Sequence, residues 1–357
     1  MTTAQVTPRL EIDLSKIQHN SRQLSQQLAP QGITITGVTK ATLGDHRVAS
    51  AMLSGGISTL GDSRIENIRK MRDAGVRASF MLLRSPQLSR IDEVVQYADI
   101  SLNSEPAVLE RLSESACRQG LEHRVLLMVE LGDLREGIRL DEIETVVAHC
   151  QQLPNLIIEG IGTNLTCLSG VVPDDHNMGQ LSELAAALQD RFGLKLAMVS
   201  GGNSSSLDWL ANTACTGNIS NVRLGEALLL GCETLHGLPL AGLYQGAISL
   251  VAEVIESRRK PSVPQGTLAR NAFGEQADFI QRGEMHRCIL DMGQQDIKLG
   301  GLKPVNPALT ILGASSDHLV LDATRQPLAV GAEVRFQLDY SALLAAMTSP
   351  FVTKCYC

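Results

Sequence analysis

Ile33-Thr34-Ile35-Thr36-Gly37-Val38-Thr39-Lys40-Ala41-Thr42 opens on a β-branched run and closes on a lysine among small neighbours. The run from Ile33 to Thr36 reads as a strand. A lysine at the C-terminal end of a strand, followed by small residues, is a candidate for an amine held inside a pocket. A desolvated amine loses its proton readily and becomes a nucleophile toward carbonyls. The competing reading is an ordinary strand-end lysine in solvent, and the surrounding chain decides between the two.

Outward from this strand a rhythm sets in. Residues 58–62 read as a strand and 65–74 as a helix. The same pair recurs at 79–84 and 87–97, at 99–103 and 105–119, and at 124–130 and 141–152. It continues at 157–163 and 177–192, then at 196–200 with a short helix through 210, and ends on a strand at 221–225. The 157–163 strand carries two glycines, which weaken a strand interior. With the lysine strand the count is eight strands, each followed by a helix or helix-like turn. Strands alternating with helices imply parallel pairing, and eight units in about 200 residues fit a closed (β/α)8 barrel better than an open sheet. Chemistry then belongs at the C-terminal strand ends, where Lys40, Arg135, Asn164, Asn203, Ser204 and Arg223 fall.

After Gly237 the texture changes. Residues 247–255 and 334–338 read as strands between Pro- and Gly-rich loops, and helical spacing returns only at 342–347. The expected division is a barrel over 1–236 and a mostly β domain over 237–357. The short alternating strand at 10–14 is a candidate to join the second domain, with a helix after it carrying Ile17, Leu24 and Leu28.

Composition bounds the function. The chain has 357 residues, 44% of them hydrophobic but only 3% aromatic, so the core rests on aliphatic side chains. A net charge of -7 without a long basic run argues against nucleic acid as a partner. The start lacks the pattern of a signal peptide, and no apolar segment is long enough to span a bilayer. A soluble, cytoplasmic protein is expected. The eight cysteines are dispersed except for Cys355 and Cys357, which fall in an expected tail. Neither they nor the histidines show metal-ligand spacing, so no metal site is expected.

Ser200-Gly201-Gly202-Asn203-Ser204-Ser205-Ser206 is the second informative stretch. Glycines admit a ligand close to the backbone, and N–H groups and hydroxyls before a helix make an anion site suited to phosphate. A plain loop with a capping serine is the alternative. Arg223 lies at the end of the last barrel strand, followed closely by Gly225. Arg135 lies in a loop flanked by acids, where a local salt bridge is the plain reading.

These residues carry a resemblance. Leu10-Glu11-Ile12-Asp13-Leu14, Val38-Thr39-Lys40-Ala41, Asp62-Ser63-Arg64, the segment from Val129 to Gly137, and Gly162-Thr163-Asn164-Leu165-Thr166-Cys167 resemble the alanine racemase family of fold type III pyridoxal-phosphate enzymes. The Gly201 to Ser206 loop, Val222-Arg223-Leu224-Gly225-Glu226, Gly293-Gln294-Gln295-Asp296 and Gly313-Ala314-Ser315-Ser316-Asp317-His318 complete the set, in order along nearly the whole chain. Within the family the resemblance points to the ornithine racemase branch of basic amino-acid racemases.

The resemblance implies a barrel followed by a β domain, with Lys40 carrying pyridoxal 5'-phosphate as a Schiff base. Asn203, Ser204 and Gly225 would hold the phosphate. Arg223 would face the pyridine nitrogen and keep it unprotonated, a weaker electron sink that favours brief Cα deprotonation. Arg135 would position the lysine face or the substrate carboxylate. The freed Lys40 would abstract the Cα proton on one face, and a second acid would return one on the other.

Two positions depart from the family pattern. The family's second acid is a tyrosine supplied by the partner subunit, whereas Arg270-Asn271-Ala272-Phe273-Gly274 has none. Asn164 stands where the family has a histidine stacked on the ring, and is expected beside the cofactor. For the second acid Tyr340, His318, Asp317 and Asp296 are the candidates, with His318 placed in the role because imidazole titrates near neutrality. Asp296 or Asp317 would instead pair with a cationic substrate side chain.

The expectation is a homodimeric racemase of ornithine or lysine with shared active sites. An alanine or serine racemase, a non-catalytic pyridoxal-phosphate carrier and a metal-requiring lyase or aldolase on the same fold are the rivals.

Overall fold

The computed structural model describes residues 6–271, 273–274 and 279–357. They form two compact units, Leu14–Gln245 and Gly246–Cys357, the second taking in residues 6–13. Along the chain come β1 (Arg9–Ile12), α1 (Leu14–Leu28), β2 (Thr34–Val38), α2 (His46–Ser54), β3 (Thr59–Asp62), α3 (Ile65–Asp73), β4 (Ser79–Leu82), α4 (Ile91–Tyr97) and β5 (Ile100–Asn103). Then follow α5 (Pro106–Gln119), β6 (His123–Met128), α6 (Ile143–Cys150), β7 (Leu156–Thr163), α7 (Asp175–Phe192), β8 (Met198–Gly201), α8 (Ser206–Asn212), β9 (Asn221–Leu224) and α9 (Glu226–Leu230).

Strands β2 to β9 close into a parallel barrel, with β9 returning to β2 in the register Thr36 opposite Arg223. The expected barrel is therefore present. Helix α2 was not legible in the sequence. Asp45 starts it by accepting from the Arg47 and Val48 N–H groups. Segment 237–245 belongs to the barrel unit, anchored where Asn20 donates to Tyr244 O and accepts from Tyr244 N.

Alternation decides what faces the barrel interior. A Cβ at Gly37 would meet Met52 Sδ of α2 at 3.1 Å, so Gly37 faces outward and its neighbours Thr36 and Val38 face in. Asn221 bonds Thr36 and so shares that inner face. The glycines of β7 have a steric cause: a Cβ at Gly160 would stand 1.7 Å from Met198 O. Those glycines made the strand look weak, yet they let β7 approach β8. Met81, Ile100, Leu102, Leu126 and Met128 form a packed apolar cluster spanning β4, β5 and β6. A Cβ at Gly162 would lie 3.1 Å from both Leu126 Cδ2 and Ser200 Cβ, so the cluster faces the same way as the polar residues of β8 and β9.

In the second unit come β10 (Ile248–Pro261), β11 (Glu284–Leu290), β12 (Leu302–Pro304), β13 (Thr310–Ala314), β14 (Leu319–Asp322), β15 (Glu333–Leu338), α10 (Tyr340–Thr348) and β16 (Thr353–Tyr356). The sheet order is β12-β15-β10-β11-β14-β13. Strand β1 joins this sheet, antiparallel to β10 and parallel to β16. Its Arg9 is 5% exposed and bonds both Glu11 and Glu333. The expected C-terminal tail is corrected here, because Cys355 lies within β16, opposite Glu11. Among the described residues no helix is long and apolar enough to cross a membrane, and no cluster of three metal-ligating side chains occurs.

Candidate active site

Lys40 begins a single 3-10 turn, Lys40–Thr42, immediately beyond β2, and is half-buried. Its predecessor Thr39 fixes the place where that turn starts. Thr39 N–H donates to Gly61 O at 2.9 Å, and its Oγ1 donates to Asp62 Oδ2 at 2.8 Å. Asp62 is fully buried at the end of β3 and also accepts from Arg64 N and Asn67 Nδ2. Burial raises its carboxyl pKa above the ordinary 3.8, partly offset by these donors. The β2 and β3 ends are thus tied together directly behind the lysine. Asp62 entered the sequence reading only as the end of a strand and as part of a resembling segment. Its signal was position at a strand end.

Arg223 on β9 is 4% exposed and lies level with Thr36, four residues before Lys40 on the adjacent strand. Its Nη1 donates to Ser200 Oγ at 2.5 Å and its Nη2 to Thr163 O at 2.7 Å. Both acceptors are neutral. Among the described residues no carboxylate forms a salt bridge with it. Burial depresses its pKa to about 10. A buried cation left with neutral acceptors is costly unless a ligand completes it.

The glycine-serine loop packs across to the β7 loop. Asn203 Nδ2 donates to Leu165 O at 2.9 Å and to Asn164 Oδ1 at 3.2 Å, and also reaches Cys167 Sγ at 3.4 Å. Asn203 Oδ1 accepts from Ser205 N. Its side chain therefore organises the loop. Ser204 Oγ accepts from Ala227 N at 3.3 Å, joining this loop to the start of α9. Gly225 precedes α9, and a Cβ there would lie 3.1 Å from Val38 Cβ. Gly202 has φ +105, and a Cβ there would collide with Ser206 Oγ at 2.5 Å. The expected serine cap is replaced: Ser206 Oγ donates back to Gly201 O, and Ser205 leads into α8 without a side-chain cap.

The β6 and β7 loops are clasped by Asp133, which accepts from Leu168 N and Ser169 N. Thr166 sits at φ +73, a left-handed conformation that strains a β-branched residue, held by its Oγ1 bond to Val171 O. Arg135 is exposed and ion-paired with the adjacent Glu136, which is the plain reading of its acidic loop.

The β-unit candidates are placed within their own unit. Asp296 is 5% exposed, and both its oxygens are engaged: Oδ1 accepts from Ser349 Oγ at 2.8 Å, Oδ2 from Gly293 N at 3.3 Å. It is therefore no solvated loop acid. Asp317 and His318 are exposed in the turn between β13 and β14. Asp317 accepts from Gln295 Nε2 and Ser316 Oγ, while His318 O accepts from Ser315 N. Tyr340 opens α10. Ala272, within the segment compared with the family's tyrosine motif, lies outside the described residues.

The residues present fit pyridoxal phosphate. Asn164 Nδ2 and Ser205 Oγ are buried and have no hydrogen-bond partner among the described residues. With Arg223 they make a cation, an amide donor and a hydroxyl at the β7, β8 and β9 ends. That set suits an anionic group and a neutral ring acceptor.

Comparison with known proteins agrees. The family described as "Alanine racemase, N-terminal domain" matches residues 12–232. The lysine racemase of Thermotoga maritima is 40% identical, over 98% of this chain and 99% of its own length. The ornithine racemase of Acetoanaerobium sticklandii is 36% identical, over 97% of this chain and 99% of its own. The fold matches the alanine racemase of Bartonella henselae, solved with covalently bound pyridoxal phosphate. That match has a TM-score of 0.75 at 19% identity, covering 99% of this chain and 100% of that one. From its barrel, its strand-end residues and these full-length relatives, the chain belongs to the alanine racemase family.

Proposed function

We propose that this protein is a pyridoxal-phosphate-dependent racemase that interconverts the L and D forms of a basic amino acid, lysine or ornithine. The observation that carries the cofactor reading is Arg223, a buried guanidinium met among the described residues only by neutral acceptors, on the strand beside β2, while the basic substrate is supported by the lysine and ornithine racemase relatives. When bound, pyridoxal phosphate supplies an aldehyde for an amine and a ring that accepts negative charge from Cα.

The chain's own residues then divide the work. Lys40 would hold the cofactor, and its amine would serve as the base that takes the Cα proton. Arg223 would face the ring nitrogen as a donor, which would keep a proton off it and limit how much charge the ring draws. Asn164 and the Ser204, Ser205 and Gly225 region hold the ring face and phosphate, with Asn203 fixing their loop. Arg135, once it exchanges Glu136 for a ligand, orients the substrate carboxylate. In the second unit, His318 is our candidate for the second proton carrier and Asp317 for the partner of the cationic side chain, both exposed in their own turn. Asp296, with both oxygens engaged, supports that loop. The protein acts as a homodimer with shared sites, in the cytoplasm, where its cysteines stay reduced.

The test is a chiral assay of purified protein with pyridoxal phosphate, offered L-lysine, L-ornithine and L-alanine separately. D-lysine or D-ornithine with little D-alanine is the expected result. Dominant D-alanine formation, or inversion of none, refutes the assignment.

A further inference from the structure

Beneath Arg223 lies a file of polar groups, buried at Ser200, Asn221 and Thr36 and reaching the surface at Thr34, whose donor directions are fixed. Thr34 Oγ1 donates to Ser220 O at 2.9 Å, which leaves its oxygen only to accept. Asn221 Nδ2 therefore faces β2, within 3.2 Å of both Thr34 Oγ1 and Thr36 Oγ1. Its Oδ1 must then face Ser200, whose hydroxyl donates to it at 2.8 Å. That spends the serine's proton and leaves its lone pairs for Arg223 Nη1 at 2.5 Å. Ser200 and Asn221 are both fully buried. Every member is neutral, so the file grips the guanidinium without cancelling its charge.

We propose that Ser200 and Asn221 are positioning residues that act as one neutral relay, rooted in β2, to aim the Arg223 fork at the cofactor's ring nitrogen. The proposal rests on the cofactor reading above. It makes two claims that plain packing does not. Breaking the file at either residue frees the same guanidinium edge, so the two losses are one loss. Placing a negative charge in the file changes the ring nitrogen's environment without touching the cofactor.

The experiment is a double-mutant cycle on full-length protein reconstituted with pyridoxal phosphate, using Ser200→Ala, Asn221→Leu and their combination. It reads the cofactor dissociation constant and the pH titration of the bound-cofactor absorbance band. One charge-assisted bond lost predicts about a tenfold weaker dissociation constant for each single variant, and about the same tenfold for the pair. Asn221→Asp, nearly the same size, guards against a variant that fails to fold. Its carboxylate, one residue from Arg223, is expected to move the band's pH midpoint by about one unit. Additive losses, or variants with wild-type affinity and an unmoved midpoint, overturn the relay. Wild-type protein that takes up no cofactor overturns the cofactor reading and the relay with it.

Discussion

Arg223 is a cation the barrel holds against its own stability. A base whose folded pKa is depressed costs the folded chain nothing only above its ordinary, unfolded value. The cost is complete below about 10, so at neutral pH the charge works against folding. The shift corresponds to on the order of 3 kcal/mol. Loss of the donor to Thr163 O would return about 1–3 kcal/mol of that. Arg223→Met should therefore leave the apo protein at least as stable in urea unfolding while reducing inversion by about a hundredfold or more. Asp62 carries the opposite shift. A carboxyl with a raised folded pKa contributes most below 3.8 and loses that contribution as pH rises through its folded pKa. Wild type should thus lose ground to Asp62→Asn as pH rises above 3.8, and a constant difference in unfolding free energy contradicts this. The place of Lys40 just past a strand could be read from that strand and its small neighbours. Asp62 could not, because its meaning comes from Thr39 and Asn67 folding onto it.

At the scale of elements, the βα rhythm was legible because parallel strands buried on both faces read as short apolar runs. The second unit was less so. Strand β11 carries Glu284, His286 and Arg287, and β13 carries Gly313, so neither shows a clean apolar alternation. Strand β16, Thr-Lys-Cys-Tyr, gains its place only by pairing with β1, a partner distant in sequence. Strand β15 was read correctly because its buried and exposed residues alternate strictly. The β8–α8 turn makes its own prediction. Gly202→Ala would force a side chain into φ +105 and onto Ser206 Oγ. It should cost about 1–3 kcal/mol in apo stability and weaken cofactor binding as well. Unchanged affinity would remove this turn from the phosphate site.

For the whole molecule, the two units and their family were readable because resembling segments keep their order along the chain. The second proton carrier was not readable, since the family's tyrosine motif has no counterpart in this sequence. A homodimer is expected in sedimentation velocity at micromolar concentration, and a monomer there contradicts shared sites. The central claim is that the turn after β2 carries the cofactor through Lys40. Borohydride reduction of protein incubated with pyridoxal phosphate, followed by peptide mass mapping, tests it most directly. A stable pyridoxyl adduct is predicted on the peptide containing Lys40, and none at that peptide in Lys40→Ala. An adduct confined to another lysine, or wild-type protein that takes up no label, would contradict the account.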